Sequence, residues 1–135
     1  MILVDTNVLL YAVSALPEDA AKRGRARSLL TEDDLGVSVQ VLQEFYHQAT
    51  RPGRPARLTH EDAVRFLEPI EQFPIQAVTT EVFHAALSVR ERFGLSYWDS
   101  AILAAARVLG CHSVYSEDMS PDQDYDGLRV INPFV

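Results

Sequence analysis

Short apolar runs that close on a polar residue and give way to a helical stretch recur along this chain. Ile2-Leu3-Val4 ends at Asp5-Thr6-Asn7, the pattern of a buried strand that stops at a helix cap. Val8, Leu9, Ala12 and Val13 then return at helical spacing, and a second helix is predicted from about Glu18 to Leu30. Leu35-Gly36-Val37 reads as a second strand. Ser38 reads as the cap of a helix reaching Ala49, with an apolar stripe of Val39, Leu42, Tyr46 and Ala49. Residues 51–57, with Pro52, Gly53 and Pro55, form a loop. Thr59 and Asp62 have the spacing of a capping box opening a further helix, which Pro69 is expected to kink and Pro74 to end.

The second half repeats the pattern. Ile75 to Val78 is a third strand, Thr79 to Phe93 a helix stopped by Gly94, and Ser96 to Leu109 an alanine-rich helix stopped by Gly110. Ser113–Tyr115 and Leu128–Ile131 complete the set of about five strands. Strands this short and this apolar, separated by helices, predict an α/β fold: a central parallel sheet covered by helices on both faces. The length of 135 residues suits one domain, 1–135, and the 47% hydrophobic content is enough for a core. Cys111 stands alone, so no disulfide framework exists, and it reads as a small buried apolar residue. No uncharged apolar run is long enough to span a bilayer, and Asp5 follows the start with no basic leader before it, the pattern of a cytoplasmic protein.

In open parallel sheets, sites form beyond the carboxyl ends of the strands. Asp5 follows the first strand and Asp118 the fourth. Asp99 lies in the first turn of the helix before the fourth strand, and Glu44 lies two turns into the third helix. Each has an ordinary explanation. Asp5 can cap a helix, Ser96 and Asp99 make a capping box, Glu44 can be a solvated glutamate, and Asp118 can sit in a polar turn. Together they carry more. Four carboxylates in one place repel one another unless a cation joins them, and oxygen-only ligands select Mg²⁺ or Mn²⁺. Such a site polarises a phosphoryl oxygen and aligns water for in-line attack, which is chemistry for a phosphodiester.

Other chemistries lack their residues. The dehalogenase-type phosphatase needs a second aspartate where Asn7 stands and a late lysine, whereas the one lysine is Lys22; a phospho-receiver domain lacks the same lysine. Walker and Gly-x-Ser-x-Gly motifs are missing, and His47, His60, His84 and His112 have no metal-ligand spacing. The net charge of −7 argues against nucleic acid, but a bound cation offsets acidic ligands. The basic residues are also grouped: Lys22, Arg23, Arg25 and Arg27 in one run, and Arg51, Arg54 and Arg57 in another. The two runs, with the latter three arginines foremost, are candidates for holding nucleic-acid phosphates.

The segments Ile-Leu-Val-Asp5-Thr-Asn7, the helical Glu44, Tyr97-Trp98-Asp99-Ser100-Ala101-Ile102, the turn Ser116-Glu117-Asp118 and the closing Leu128 to Phe134 resemble the PIN-domain family. Their order matches along nearly the whole chain, and the length resembles that of VapC-type toxins. The resemblance implies a Mg²⁺- or Mn²⁺-dependent endoribonuclease, with Asp5, Glu44, Asp99 and Asp118 as metal-binding carboxylates and Asn7 and Ser116 as polar supports. Ser116 stands where the family often has threonine, which retains the hydroxyl. Asp122 is the candidate for a further ligand, with Asp124 and Asp126 as alternatives. The resemblance also implies a homodimer and a protein antitoxin that blocks the site, and Leu9, Leu10 and Leu16 are candidates for such a surface. The rival from another class is a PIN-like module that binds RNA or a partner without cutting.

Overall fold

The computed structural model describes residues 1–120 and 123–135. Its elements are β1 (Ile2–Val4), α1 (Thr6–Ala12), α2 (Ala20–Leu29), β2 (Leu35–Ser38), α3 (Val39–Thr50), α4 (His60–Ile70), β3 (Ile75–Gln76), α5 (Thr80–Phe93), α6 (Tyr97–Leu109), β4 (Ser113–Tyr115), β5 (Asp124–Tyr125) and β6 (Leu128–Ile131). The strands form one sheet in the order β3-β2-β1-β4-β6-β5. All pairs are parallel except β5–β6. The chain therefore winds one way from β1 through β2 to β3, then returns to the other side of β1 with β4. The β1–β4 junction is the point where strand order reverses, the place beyond whose carboxyl edge open parallel sheets form their sites.

The helices divide accordingly. Crossovers to β2 and β3 carry α1 to α4, which pack on one another, while the return crossover carries α5 and α6, which pair and lie under β2, β3 and β4. Connections of one hand running in opposite directions put these two groups on opposite faces of the sheet. Both faces being covered, Leu3, Val4, Val37, Val114 and Val130 are fully enclosed, together with Val8, Leu9, Phe45 and Leu103. Every residue of α6 from Ser100 to Ala106 is buried, with Ala101, Ala104 and Ala105 set against Val82 and Ala86 of α5. Small side chains allow that close helix approach. Gly36 in β2 has the same role: a Cβ there would lie 2.8 Å from Met1 Sδ and 2.9 Å from Leu109 Cδ2.

Helix ends follow the expected chemistry. Ser38, Thr59, Thr79 and Ser96 each accept from the amide three residues on, and Gly94 and Gly110 close α5 and α6 in the left-handed conformation. Four local expectations are corrected. The third strand ends at Gln76, and Val78 lies outside it, exposed. A short 3₁₀ turn over Pro17–Asp19 precedes α2, which begins at Ala20. The buried stripe of α3 is Val41, Phe45 and Ala49; Tyr46 points outward, where its hydroxyl meets His60 Nδ1 at 2.9 Å. Pro69 stands in the last turn of α4, which ends one residue later, at Ile70. The sheet also gains a sixth strand, β5, joined to β6 by a tight turn with Asp126 and Gly127 at positive φ.

Candidate active site

The register of the two central strands builds the site. Val4 lies opposite Tyr115, and the Asp5 amide donates to the Tyr115 carbonyl at 3.0 Å, so Asp5 and Ser116 emerge side by side. Asp5 is extended (φ −80°, ψ 162°) and caps α1, with Oδ1 accepting from the Thr6 amide at 2.7 Å. Its other oxygen, Oδ2, accepts from the Ser116 hydroxyl at 2.6 Å. One carboxylate thus caps the helix and binds Ser116 across the strand junction at once, at only 3% exposure.

Asn7 ties the edges together. Its Nδ2 donates to Asp118 Oδ2 at 3.0 Å and lies 3.4 Å from both Asp5 Oδ2 and Ser116 Oγ. Its Oδ1 accepts from the Glu117 amide at 3.3 Å, while Ser116 Oγ accepts from the Asp118 amide at 3.2 Å. Glu44 comes in from α3, with Oε1 accepting from Thr6 Oγ1 at 3.3 Å and from Gln40 Nε2 at 3.2 Å. Gln40 also donates to the Trp98 carbonyl at 3.2 Å, which links α3 to the start of α6. Asp99 sits in that first turn, its amide held by Ser96 Oγ at 3.1 Å.

The electrostatics show that the carboxylates sense one another. Burial raises the pKa of Asp5 to about 6; bonds from Ser116 and Thr6 work against the rise, and the charges of Asp118 and Glu44 add to it. Asp99 is raised as well, first by burial and then by Asp118. Among the described residues no three acidic, histidine or cysteine side chains already form a ligating group. The donor set nevertheless suits a hard divalent cation: all oxygen, one member nearly buried, and each of the two displaced pKa values pushed in the direction a cation would reverse. Asp5, Glu44, Asp99 and Asp118 are the residues that would hold it, and Mg²⁺ retains much of its water, so few need bind directly.

The other sequence candidates fall in different places. Asp122 lies outside the described residues. Asp124 Oδ1 accepts from the Gly127 amide at 2.6 Å and Asp126 pairs with Arg92 at 2.6 Å, so both serve the β5–β6 turn. Arg54 lines a hollow that reaches Asn7 along Leu10, Tyr11, Ser14 and Asp19, and burial lowers its pKa. Arg51 holds Gln48 at 3.0 Å, and Arg57 is exposed. Of the first basic run, Arg23, Arg25 and Arg27 hold the carbonyls of Ser14, Pro133 and Ala12, and Lys22 pairs with Glu117. Leu9 belongs to the core, Leu10 packs against it, and Leu16 is exposed. Cys111 is buried, as expected. Among the described residues no helix is long and apolar enough to cross a membrane.

Sequence reasoning missed Thr6 and Gln40. Gln40 was findable, because it stands one helical turn before Glu44 on the same face. It also missed a second hollow next to the site, lined by Gln40, Gln43, Val78, Phe83 and Trp98, in which the Trp98 side chain is 65% exposed.

Comparison with known proteins agrees with this architecture. No curated protein matches the chain significantly. Among solved structures, a toxin–antitoxin complex from Klebsiella pneumoniae superposes with a TM-score of 0.73 at 18% identity, covering 98% of each chain. VapC20 of Mycobacterium tuberculosis, a toxin that cleaves the sarcin–ricin loop, gives 0.67 at 24% identity over 87% of this chain and 90% of that one. FitAcB from Neisseria gonorrhoeae gives 0.66 at 20% identity over 99% of each. At such identities these likenesses establish the fold. The PIN domain family model matches residues 2–122, nearly the whole length from β1 to just past Asp118, and the chain belongs to the PIN domain family.

Proposed function

We propose that this protein is a divalent-metal-dependent endoribonuclease and the toxin of a toxin–antitoxin pair. The observation that carries the reading is Asp5: a nearly buried carboxylate at the sheet's switch point, with its pKa raised to about 6 and the charges of Glu44 and Asp118 close by. A protein with no use for a cation gains nothing from gathering these charges, since they repel. The four carboxylates are the metal-binding and catalytic residues in this reading, with Asn7 and Ser116 as their supports.

A divalent cation bound there supplies Lewis acidity at a phosphoryl oxygen and makes water a better nucleophile near neutral pH. The chain's own residues do the rest. Ser116 and the Thr6 amide fix Asp5 in one orientation, Asn7 holds Asp118 beside it, and Gln40 and Thr6 orient Glu44. Attack by water in line with the leaving oxygen leaves a 5′-phosphate and a 3′-hydroxyl. Arg51 and Arg54 line a hollow beside α1, Arg54 also lines the one that reaches Asn7 and is suited to a neighbouring phosphate, and Arg57 is exposed in the same loop.

The toxin assignment rests on the fold shared with toxin–antitoxin complexes and with an RNA-cleaving toxin. It brings with it a cytoplasmic place of action, a homodimer and a protein antitoxin. Exposed Val78, Phe83, Leu87 and Trp98 provide apolar surface for such contacts. A second reading, a module that binds RNA without cutting, draws on the side chains not yet forming a ligating group.

One experiment separates the two readings: cleavage of a structured RNA pool by wild type and Asp5→Asn, with Mg²⁺, Mn²⁺ or chelator. Cleavage that needs both the metal and Asp5 supports the nuclease. Folded, metal-supplied wild type that binds the pool and leaves it intact establishes the binding module.

A further inference from the structure

The only lysine of the chain lies on α2, 95 residues from its partner Glu117. The Lys22 ammonium is 2.6 Å from Glu117 Oε1 and 3.2 Å from the Tyr11 hydroxyl. It stands 4.8 Å from the centre of the Tyr11 ring and 5.9 Å from that of Phe134, and these two rings meet edge to face at 4.9 Å. Residues from α1, α2, the turn after β4 and the segment after β6 therefore converge on one cation.

Glu117 is the middle residue of the turn that carries the site. The turn sends its three side chains in different directions. Ser116 faces Asp5 and Asp118 faces Asn7, while Glu117 turns away to Lys22. Holding this doubly acidic turn close to Asp5 and Asp99 is electrostatically unfavourable. Lys22 opposes that repulsion twice, as a positive charge behind the turn and as a tether to a different element. Among the described residues Glu117 Oε2 is buried with no hydrogen-bond partner, so loss of Lys22 would leave a poorly compensated carboxylate next to Asp118.

We propose that Lys22 is a positioning residue: paired with Glu117 and seated by Tyr11 and Phe134, it locks the Ser116–Asp118 turn so that Asp118 stays beside Asp5 and Asn7. It touches neither substrate nor reacting atoms. The role in catalysis rests on the metal-nuclease reading, whereas the tether itself is measurable without metal.

The test is amide hydrogen exchange, followed by NMR on the full metal-free chain. Lys22→Met should speed exchange at the Glu117 and Asp118 amides about tenfold, leave Leu3 and Val114 unchanged, and be reversed in Lys22→Arg. Glu117→Gln removes the same ion pair while keeping size, and gives the same local loosening should Lys22→Met fold poorly. In calorimetric titration, Mn²⁺ affinity should also fall about tenfold in Lys22→Met, the scale of a lost partner behind a metal ligand. Unchanged exchange at Glu117 and Asp118 in both variants overturns the tether. So does loosening spread evenly over β1 and β6. A wild type that binds no Mn²⁺, with the local loosening still present in Lys22→Met, upholds the tether and defeats the metal reading.

Discussion

Ser116 and Asp5, 111 residues apart in sequence, meet at 2.6 Å, the hydroxyl donating to a carboxylate that is almost wholly enclosed. The bond crosses the junction where the strand order reverses, and it is the largest influence lowering the pKa of Asp5. Ser116 Oγ also accepts from the Asp118 amide at 3.2 Å, so one hydroxyl serves two carboxylate-bearing residues.

Removing that hydroxyl therefore acts on both. Ser116→Ala leaves a buried Asp5 oxygen short of a donor, which should destabilise the fold by roughly 1–3 kcal/mol in urea unfolding and abolish most RNA cleavage. Ser116→Thr keeps the hydroxyl and should keep cleavage. Equal stability of wild type and Ser116→Ala would mean that the bond contributes nothing.

Asp5 also sets a pH dependence. Its folded pKa of about 6 lies above the ordinary 3.8, so between these values the folded state binds the extra proton and stability falls as pH rises. Above the window, in chelator, ionised Asp5 costs about 3 kcal/mol. Asp5→Asn should then melt several degrees higher than wild type at pH 7.5, and the difference should close by pH 4. A lower melting temperature for Asp5→Asn at pH 7.5 would show that the helix cap outweighs the buried charge.

Substitution of Arg51, Arg54 and Arg57 by glutamine should weaken RNA binding without altering the melting temperature. Each lost phosphate contact should flatten the salt dependence of the logarithm of affinity by about 0.7–1. Arg54→Gln alone should have the largest single effect, since only Arg54 lines the hollow that reaches Asn7. An unchanged salt slope in the triple variant clears all three.

The product ends report the route. Water as the nucleophile leaves 5′-phosphate and 3′-hydroxyl, so an RNA ligase should join the cleaved RNA directly, without prior kinase or phosphatase treatment. A 2′,3′-cyclic phosphate, detected by mass spectrometry, would assign the attack to the ribose hydroxyl instead.

Most of this architecture was legible because it rests on local patterns. The run Ile2-Leu3-Val4 before Asp5 and the caps Ser38, Thr59, Thr79 and Ser96 place strands and helices almost where they stand. Strand order put Asp5 and Asp118 at one sheet edge, where Asn7 reaches both, and the charges of Glu44 and Asp118 are felt at Asp5 and that of Asp118 at Asp99. The small hairpin was also written in the chain: Asp126-Gly127 between Tyr125 and Leu128 is a two-residue turn signal, although Asp126 was weighed only as an alternative ligand. The stripe of α3 was misjudged because Tyr46 and Phe45 are both aromatic, and only packing against Phe66 decides which turns inward. No periodicity reveals that Lys22 reaches Glu117, because that contact depends on how α2 packs on α1.

The placement of β4 between β1 and β6 has a consequence for the chain as it is made. Synthesis delivers Asp5, Glu44 and Asp99 first, but the turn with Ser116 and Asp118 exists only once β4 can insert beside β1. A growing or prematurely ended polypeptide that stops before β4 lacks Ser116, the partner that steadies Asp5, and Asp118 with it. In the nuclease reading such nascent fragments lack part of the carboxylate set, and the site is complete only once β4 and the turn after it have been made.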